Sequence, residues 1–325
     1  MRETIAICLA TFNGARFLRE QLESIWAQTF SDWHLYVRDD GSTDETTKIL
    51  EAFRDRNPDR TTILPSDGQL GVTGNFERIA LATRAPYVAF SDQDDVWYPE
   101  KLEVTFDRMQ RLEAELAPET PALVHADRRL IDADGREITA SYWKSRGVDA
   151  EKFDFGTSIA FPLTGGATIL TNKNLINLAF PTPRGTLAHD QWLEIAAHAF
   201  GTVAVQEGVV LDHRRHGSNA SGSLQDADSP RERRTIARAR RLIGNFDRQR
   251  RIYASRFRQA EAFRDRFGSS LDPQIARQLD RFLAIRHASL LGRLAVLLPN
   301  RASPPGLARR LVFAALSGQG RAEVR

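Results

Sequence analysis

The chain has 325 residues, a formal net charge of +3 and 42% hydrophobic residues. That is enough apolar chain for one large globular domain with a smaller appendage, and it excludes a disordered composition. Its single cysteine, Cys8, excludes an internal disulfide and fits a reducing compartment. No signal-peptide core precedes the first apolar run, and no run reaches about 18 apolar residues, so a cytoplasmic protein without a transmembrane helix is expected. The charge is uneven. Gln225 to Arg325 holds 22 arginines, no lysine and 9 acidic residues, a net +13 that leaves −10 for the rest. An acidic body is joined to an arginine-rich tail suited to an anionic partner, membrane lipid or nucleic acid.

The first 95 residues alternate strand and helix signals. Thr4–Ala10 is a short apolar run of strand formers, and Arg16–Gln28 carries helical periodicity through Phe17, Leu18, Leu22, Ile25 and Trp26. Trp33–Arg38 reads as a strand, Thr43–Arg54 as a helix, Thr61–Leu64 as a strand and Thr73–Thr83 as a helix. Tyr87–Ser91 is a fourth strand, followed by a helix over Pro99–Leu116 with Pro99 in its first turn. This rhythm predicts an α/β fold with a mostly parallel central sheet flanked by helices. Right-handed crossovers then line the strand C-termini along one edge, where ligands bind.

Beyond residue 120 the pattern is less regular. Strands are expected at Ala122–Ala126, Ala167–Thr171, Val203–Val205 and Val209–Asp212, and a helix at His189–Phe200. Arg128–Ser145 reads as turns and short strands, and Gly217–Pro230 as a loop or linker. The remainder reads as helical. The expected organisation is a domain over residues 1–222 and an arginine-rich α-helical C-terminal extension over 223–325.

Polar clusters fall at the strand ends. Thr11-Phe12-Asn13-Gly14 follows the first strand, Asp39-Asp40-Gly41-Ser42-Thr43-Asp44 the second, and Ser91-Asp92-Gln93-Asp94-Asp95 the fourth. Turn formation and helix capping are the competing explanation for the first two. The third is harder to explain that way. Three carboxylates in four residues repel one another after a buried strand, and a cation or protons must neutralise them. Mg²⁺ and similar hard cations favour oxygen ligands and bridge carboxylates to phosphates.

These motifs, with Gly71, Asn75-Phe76-Glu77-Arg78, Val96-Trp97, Thr164-Gly165-Gly166, His189-Asp190-Gln191-Trp192 and His216-Gly217-Ser218-Asn219, resemble glycosyltransferase family 2. The likeness is strongest to its bacterial rhamnosyltransferase-like members and covers roughly residues 4–220, in order. It implies a GT-A fold and inverting, metal-dependent transfer from a nucleoside-diphosphate-sugar, with Mg²⁺ or Mn²⁺ as cofactor. A uridine or thymidine donor, rhamnose as the sugar, and a cell-surface polysaccharide or lipid-linked saccharide acceptor are what the resemblance suggests.

The resemblance also implies roles. Thr11, Asn13 and Asp40, together with Asp39, would hold the nucleoside. Phe12 stands where the family often has tyrosine, so ring packing remains and a hydroxyl contact is lost. Gly71, Asn75 and Gln93 belong to the same donor-binding set, and Asp92 would lie near the ribose. Asp94 would bind the metal and His216 would approach it from the C-terminal side, with His213 a rival. Asp190 is the candidate base, against the competing reading of a helix cap. Gln191 replaces one of two tryptophans usual after that Asp. Trp97 and Trp192 are either sugar platforms or core residues. Gly165-Gly166 either lets backbone approach a ligand or makes a plain turn.

Two apolar segments in the tail, Leu290–Leu298 and Leu311–Leu316, fit a bilayer interface, with arginines meeting headgroups at the cytoplasmic face, or ordinary helices packed on the body. No nucleic-acid partner is expected, because no recognition module is present. Two other functions compete with the transferase. Asp92-Gln93-Asp94-Asp95-Val96 partly fits the nucleophile loop of haloacid-dehalogenase-like phosphotransferases, with Asp92 as nucleophile. A nucleotide-sugar-binding protein without turnover is the non-enzymatic alternative.

Overall fold

The computed structural model describes residues 4–183, 186, 188–217, 235–297 and 317. Its opening half follows the expected rhythm: β1 (Ile5–Thr11), α1 (Leu18–Trp26), β2 (Trp33–Asp39), α2 (Thr46–Arg56), β3 (Thr61–Ile63), α3 (Gly71–Ala82) and β4 (Tyr87–Ser91). β2, β1 and β4 are parallel, with Thr11 opposite Asp39 and Leu9 opposite Ser91. The clusters after these three strands therefore share one sheet edge. β1 is an unbroken apolar run because its sheet is covered on both faces.

The second half is mixed rather than parallel. It comprises β5 (Val96–Trp97), α4 (Lys101–Glu113), β6 (Ala122–Asp132), β7 (Glu137–Thr139), α5 (Tyr142–Arg146), α6 (Phe155–Ala160), β8 (Ile169–Asn172), α7 (Lys173–Ala179), α8 (His189–Phe200) and β9 (Thr202–Arg215). The sheet order is β3-β2-β1-β4-β8-β6-β9-β5, with β7 on β6. β8 runs antiparallel to both β4 and β6, while β6 and β9 are parallel.

Two expectations change here. The segment read as turns and short strands, Arg128–Ser145, holds the short strand β7, but it opens on the continuation of β6 to Asp132. Two of the charges there are satisfied inside the sheet: Arg129 makes two 2.6 Å bonds to Asp212 on β9, and the Asp127 carboxylate accepts from Ser141 and from Trp143 N–H at the start of α5. The two strands read at Val203–Val205 and Val209–Asp212 are one strand. Its register against β6 jumps from Gln206 to Val209, and Gly208 takes φ 92° in the bulge.

The chain divides into two compact units. The first, residues 1–151, 164–182 and 188–216, holds the sheet. The second takes residues 152–163, 183–187 and 217–325. Within it lie α6, α9 (Thr235–Phe267), α10 (Pro273–Ala284) and α11 (Leu290–Leu297). Asp272 caps α10 through Gln274 N–H, with Pro273 in the first turn. Phe257 stacks on Phe282 at 4.8 Å, and Phe155 meets Phe263 at 5.8 Å, giving this unit its own aromatic core. The linker expected at Gly217–Pro230, apart from Gly217, and the segment Leu311–Leu316 lie outside the described residues. No helix among the described residues is long and apolar enough to cross a membrane.

Candidate active site

The donor-side motifs lock one another. Thr11 Oγ1 donates to Asp39 Oδ1 at 2.9 Å, and Asp39 Oδ2 accepts the Gly41 and Ser42 amides. Gly41 takes φ 92°, which lets the chain turn back onto that carboxylate. Asn13 sits at φ 48°; its amide donates to Ser42 Oγ and its side-chain oxygen accepts Thr43 N–H at 2.8 Å. The loop after β1 is thereby tied to the loop after β2. Gln93 ties it to the loop after β4: its Oε1 accepts Phe12 N–H at 2.8 Å and its Nε2 donates to Phe12 O at 3.0 Å. A Cβ on Gly14 would meet Gln93 Oε1 at 2.1 Å, so the clamp needs glycine there. The Phe12 ring remains 46% exposed, open to stack against a ligand.

Asp40 anchors a further loop. Its oxygens accept Leu70 N–H and Gly71 N–H, each at 2.8 Å, and Arg38 Nη1 at 2.8 Å. Arg38 is fully buried and also donates to Asn75 Oδ1, Asp67 and Gly68 O. Asn75 Nδ2 returns a bond to Arg38 O. Asn75 and Gly71 are thus fixed to Arg38 and Asp40, and Arg38 is a residue the motif reading passed over. Its place one residue before the Asp39-Asp40 pair was the available signal.

The acidic cluster is arranged differently. Asp94 Oδ2 lies 2.8 Å from His216 Nε2, while the rival His213 pairs through Nδ1 with Asp95 Oδ1 at 2.9 Å. The two histidines therefore serve two different carboxylates. Arg214, between them, donates to Asp94 O and to Glu20, which ties the end of β9 to the cluster. Asp92 makes no side-chain hydrogen bond among the described residues. Burial, then the charges of Asp95, Asp94 and Asp190, hold its carboxyl well above the usual range. Asp94 is raised by burial and Asp95, and held back by the two histidines.

Asp190 occupies the first turn of α8, whose N-cap is Ala188, so it is not the cap. Its Oδ2 accepts Gly166 N–H at 3.0 Å, which orients the carboxylate. Gly166 must be glycine, because a Cβ there would meet His189 Nε2 at 2.8 Å. His189 lies among Phe76 and Phe90, with burial lowering its basicity and Asp190 opposing that. Glu194, one turn on, accepts Thr164 N–H and Oγ1. Trp97 and Trp192 belong to the core: they are 2% and 0% exposed, and Trp192 Nε1 donates to Ala179 O. Sugar stacking on either is excluded by that burial.

Asp94 and His216 fit one divalent cation. Their 2.8 Å spacing is close to the roughly 3 Å expected of adjacent ligands at octahedral Mg²⁺ bond lengths. The described residues offer no group of three or more His, Cys, Asp or Glu for a metal. A cation held by this pair would need further ligands from diphosphate oxygens and water, the usual arrangement for Mg²⁺ with nucleotides.

Residues 6–140 match the profile of Glycosyl transferase family 2. An uncharacterized glycosyltransferase of Nostoc sp. is 25% identical over 241 residues, 72% of this chain and 71% of that protein. The dTDP-rhamnosyl transferase RfbG of Shigella flexneri is 40% identical over 103 residues, 30% of this chain. The match spans 36% of that relative's length. The mannosyltransferase PcManGT of Pyrobaculum calidifontis, solved with GDP-Man and Mn²⁺, superposes at a TM-score of 0.54 and 15% identity, over 97% of this chain and 86% of that one. That likeness gives the fold as GT-A. It removes the phosphotransferase alternative, whose nucleophile loop belongs on a first strand, whereas Asp92 follows β4. Residues 6–140 are thus a glycosyltransferase family 2 domain, and the chain is similar to glycosyltransferases over most of its length.

Proposed function

We propose that this enzyme transfers a sugar, with inversion, from a uridine or thymidine diphosphate donor to a hydroxyl of a saccharide or lipid-linked saccharide acceptor, with Mg²⁺ or Mn²⁺ as cofactor. The observation that carries the reading is the convergence of Asp94–His216 and the Gly166-held Asp190 around unpartnered Asp92. The dTDP donor of the Shigella relative and the Mn²⁺ of the Pyrobaculum structure support the donor class and the cofactor. Rhamnose is the sugar favoured by the same relative.

In this reading Thr11, Phe12, Asn13, Asp39 and Asp40 form the nucleoside wall, with Gly71, Asn75 and Gln93 holding its shape. Asp92 faces the donor ribose, and Asp94 and His216 hold the cation. When bound, that cation neutralises charge on the diphosphate leaving group. Asp190 takes the acceptor hydroxyl proton as the oxygen attacks the anomeric carbon. The new C–O bond forms as the bond to the diphosphate breaks, and nucleoside diphosphate leaves. Gly166 N–H keeps Asp190 aimed.

We assign transfer to residues 1–222 and acceptor or membrane attachment to residues 223–325. Leu290 and Leu291, 53% and 78% exposed on α11, support an anionic membrane surface as partner at the cytoplasmic face.

The test is nucleoside diphosphate release from a panel of uridine, thymidine and guanosine sugars, with Mn²⁺, Mg²⁺ or chelator. One donor should be cleaved slowly, only with metal, and not by Asp94→Ala. Cleavage undiminished by chelator would overturn the metal assignment, and no cleavage or donor binding across the panel would overturn the donor site.

A further inference from the structure

Arg128 has no place in the scheme above. It lies on β6, 3% exposed, and its guanidinium stacks on the Tyr142 ring at 4.2 Å. Its side chain makes no hydrogen bond among the described residues; its backbone N–H donates to the Asp127 carboxylate. The carboxylate next to it, Asp127, is turned away to Ser141 and Trp143 N–H. Arg128 Nε is buried without a partner. Arg129, its neighbour in sequence, is by contrast paired to Asp212 through two bonds. A buried cation without a counter-ion is costly unless a ligand supplies one.

Gly165 indicates which ligand. A Cβ on it would stand 2.0 Å from Arg128 Nη1 and 2.8 Å from Cζ, so the guanidinium lies directly against that backbone. The next residue, Gly166, holds Asp190 through its N–H. One two-glycine turn thus touches both the candidate base and the unpaired guanidinium. Arg128 is also close enough to Asp92 for their charges to interact. It therefore sits on the side of the cluster where the acceptor hydroxyl must be deprotonated, whereas the cation pair Asp94–His216 is built from the end of β9. A guanidinium fork matches carboxylate and phosphate geometry bidentately.

We propose that Arg128 is a specificity residue that binds an oxyanion of the acceptor, a phosphate or a carboxylate close to the attacking hydroxyl, so that the enzyme selects an anionic saccharide. This rests on Asp190 marking the acceptor side. The Tyr142 ring holds the guanidinium flat and Gly165 leaves it room.

The experiment compares three acceptors at saturating donor: a glycosyl phosphate, a uronate carrying a free carboxylate, and a neutral methyl glycoside. Wild type should prefer at least one anionic acceptor, and which one identifies the source of the oxyanion. In Arg128→Gln the anionic-to-neutral ratio of kcat/KM should fall by about 30-fold or more, the lower range for removing one member of a buried charged pair. Arg128→Lys, which keeps the charge, should retain part of the preference. Gly165→Ala should lose it by displacing the guanidinium. Equal losses on all three acceptors, or a rise in donor KM at unchanged acceptor ratio, would place Arg128 in the scaffold or on the donor diphosphate and overturn the proposal. If wild type cleaves donor but transfers equally to all three acceptors, the oxyanion site fails while the transferase reading stands. If it cleaves no donor, the transferase reading itself fails.

Discussion

The two halves of the site differ in how completely their polar groups are satisfied. On the donor side, Thr11, Asn13, Asp39, Asp40, Asn75 and Gln93 are joined to one another or to backbone amides before any ligand arrives. On the catalytic side, Asp92 has no hydrogen-bond partner, the Arg128 side chain has no hydrogen-bonded counter-ion and both ring nitrogens of His189 are unpartnered among the described residues. In the proposed reading the donor wall is preformed, so little ordering entropy would be lost when the nucleoside binds. In the same reading, the catalytic side holds charges whose partners would be the cation, the diphosphate and the acceptor. Stability resides in the first and reactivity in the second.

Substitutions can break this contrast. The largest effect is expected from Asp190→Asn, which should lower transfer by about 10²–10⁴-fold, the range for losing a general base, in steady-state assays. Arg38→Met should act in the opposite way. It strands Asp40 and Asn75 in the interior and should cost about 3–5 kcal/mol in denaturant unfolding, the range for breaking a buried ion pair. Gly14→Ala drives a methyl into the Gln93 amide and should cost about 1–3 kcal/mol, with a raised donor KM. The smallest and most telling is Asp92→Asn. Removing an unpartnered carboxyl from among three others should raise stability in chelator by about 1 kcal/mol while lowering turnover. A loss of stability there would mean that Asp92 has a structural role like that of Asp40.

Much of this was legible in the sequence. Apolar runs ending in Thr11-Phe12-Asn13, Asp39-Asp40 and Asp92-Gln93-Asp94 place the first three parallel strands and their shared edge, because strand period and turn chemistry are local properties. What those side chains bond to was not. Nothing local shows that Gln93 reaches 81 residues back to Phe12, or that Asp40 holds the amides of Leu70 and Gly71. The second half was harder for a related reason. β6 carries Asp127, Arg128 and Arg129, whose charges end the apolar strand pattern at Ala126 until Asp212, Ser141 and Tyr142 are seen to cover them. Gly208 splits β9 in the sequence, though only a bulge is present in the sheet. Arg128 was missed because burial without a counter-ion is a property of three-dimensional surroundings alone.

The contrast between a preformed donor wall and a ligand-completed catalytic side is tested most directly by calorimetric titration of the donor nucleotide, with Mn²⁺, into wild type, Asp190→Asn and Arg38→Met. The account predicts wild-type affinity for Asp190→Asn despite its lost transfer, and at least about 10-fold weaker binding for folded Arg38→Met. Donor binding that fails in Asp190→Asn and survives in Arg38→Met would contradict it.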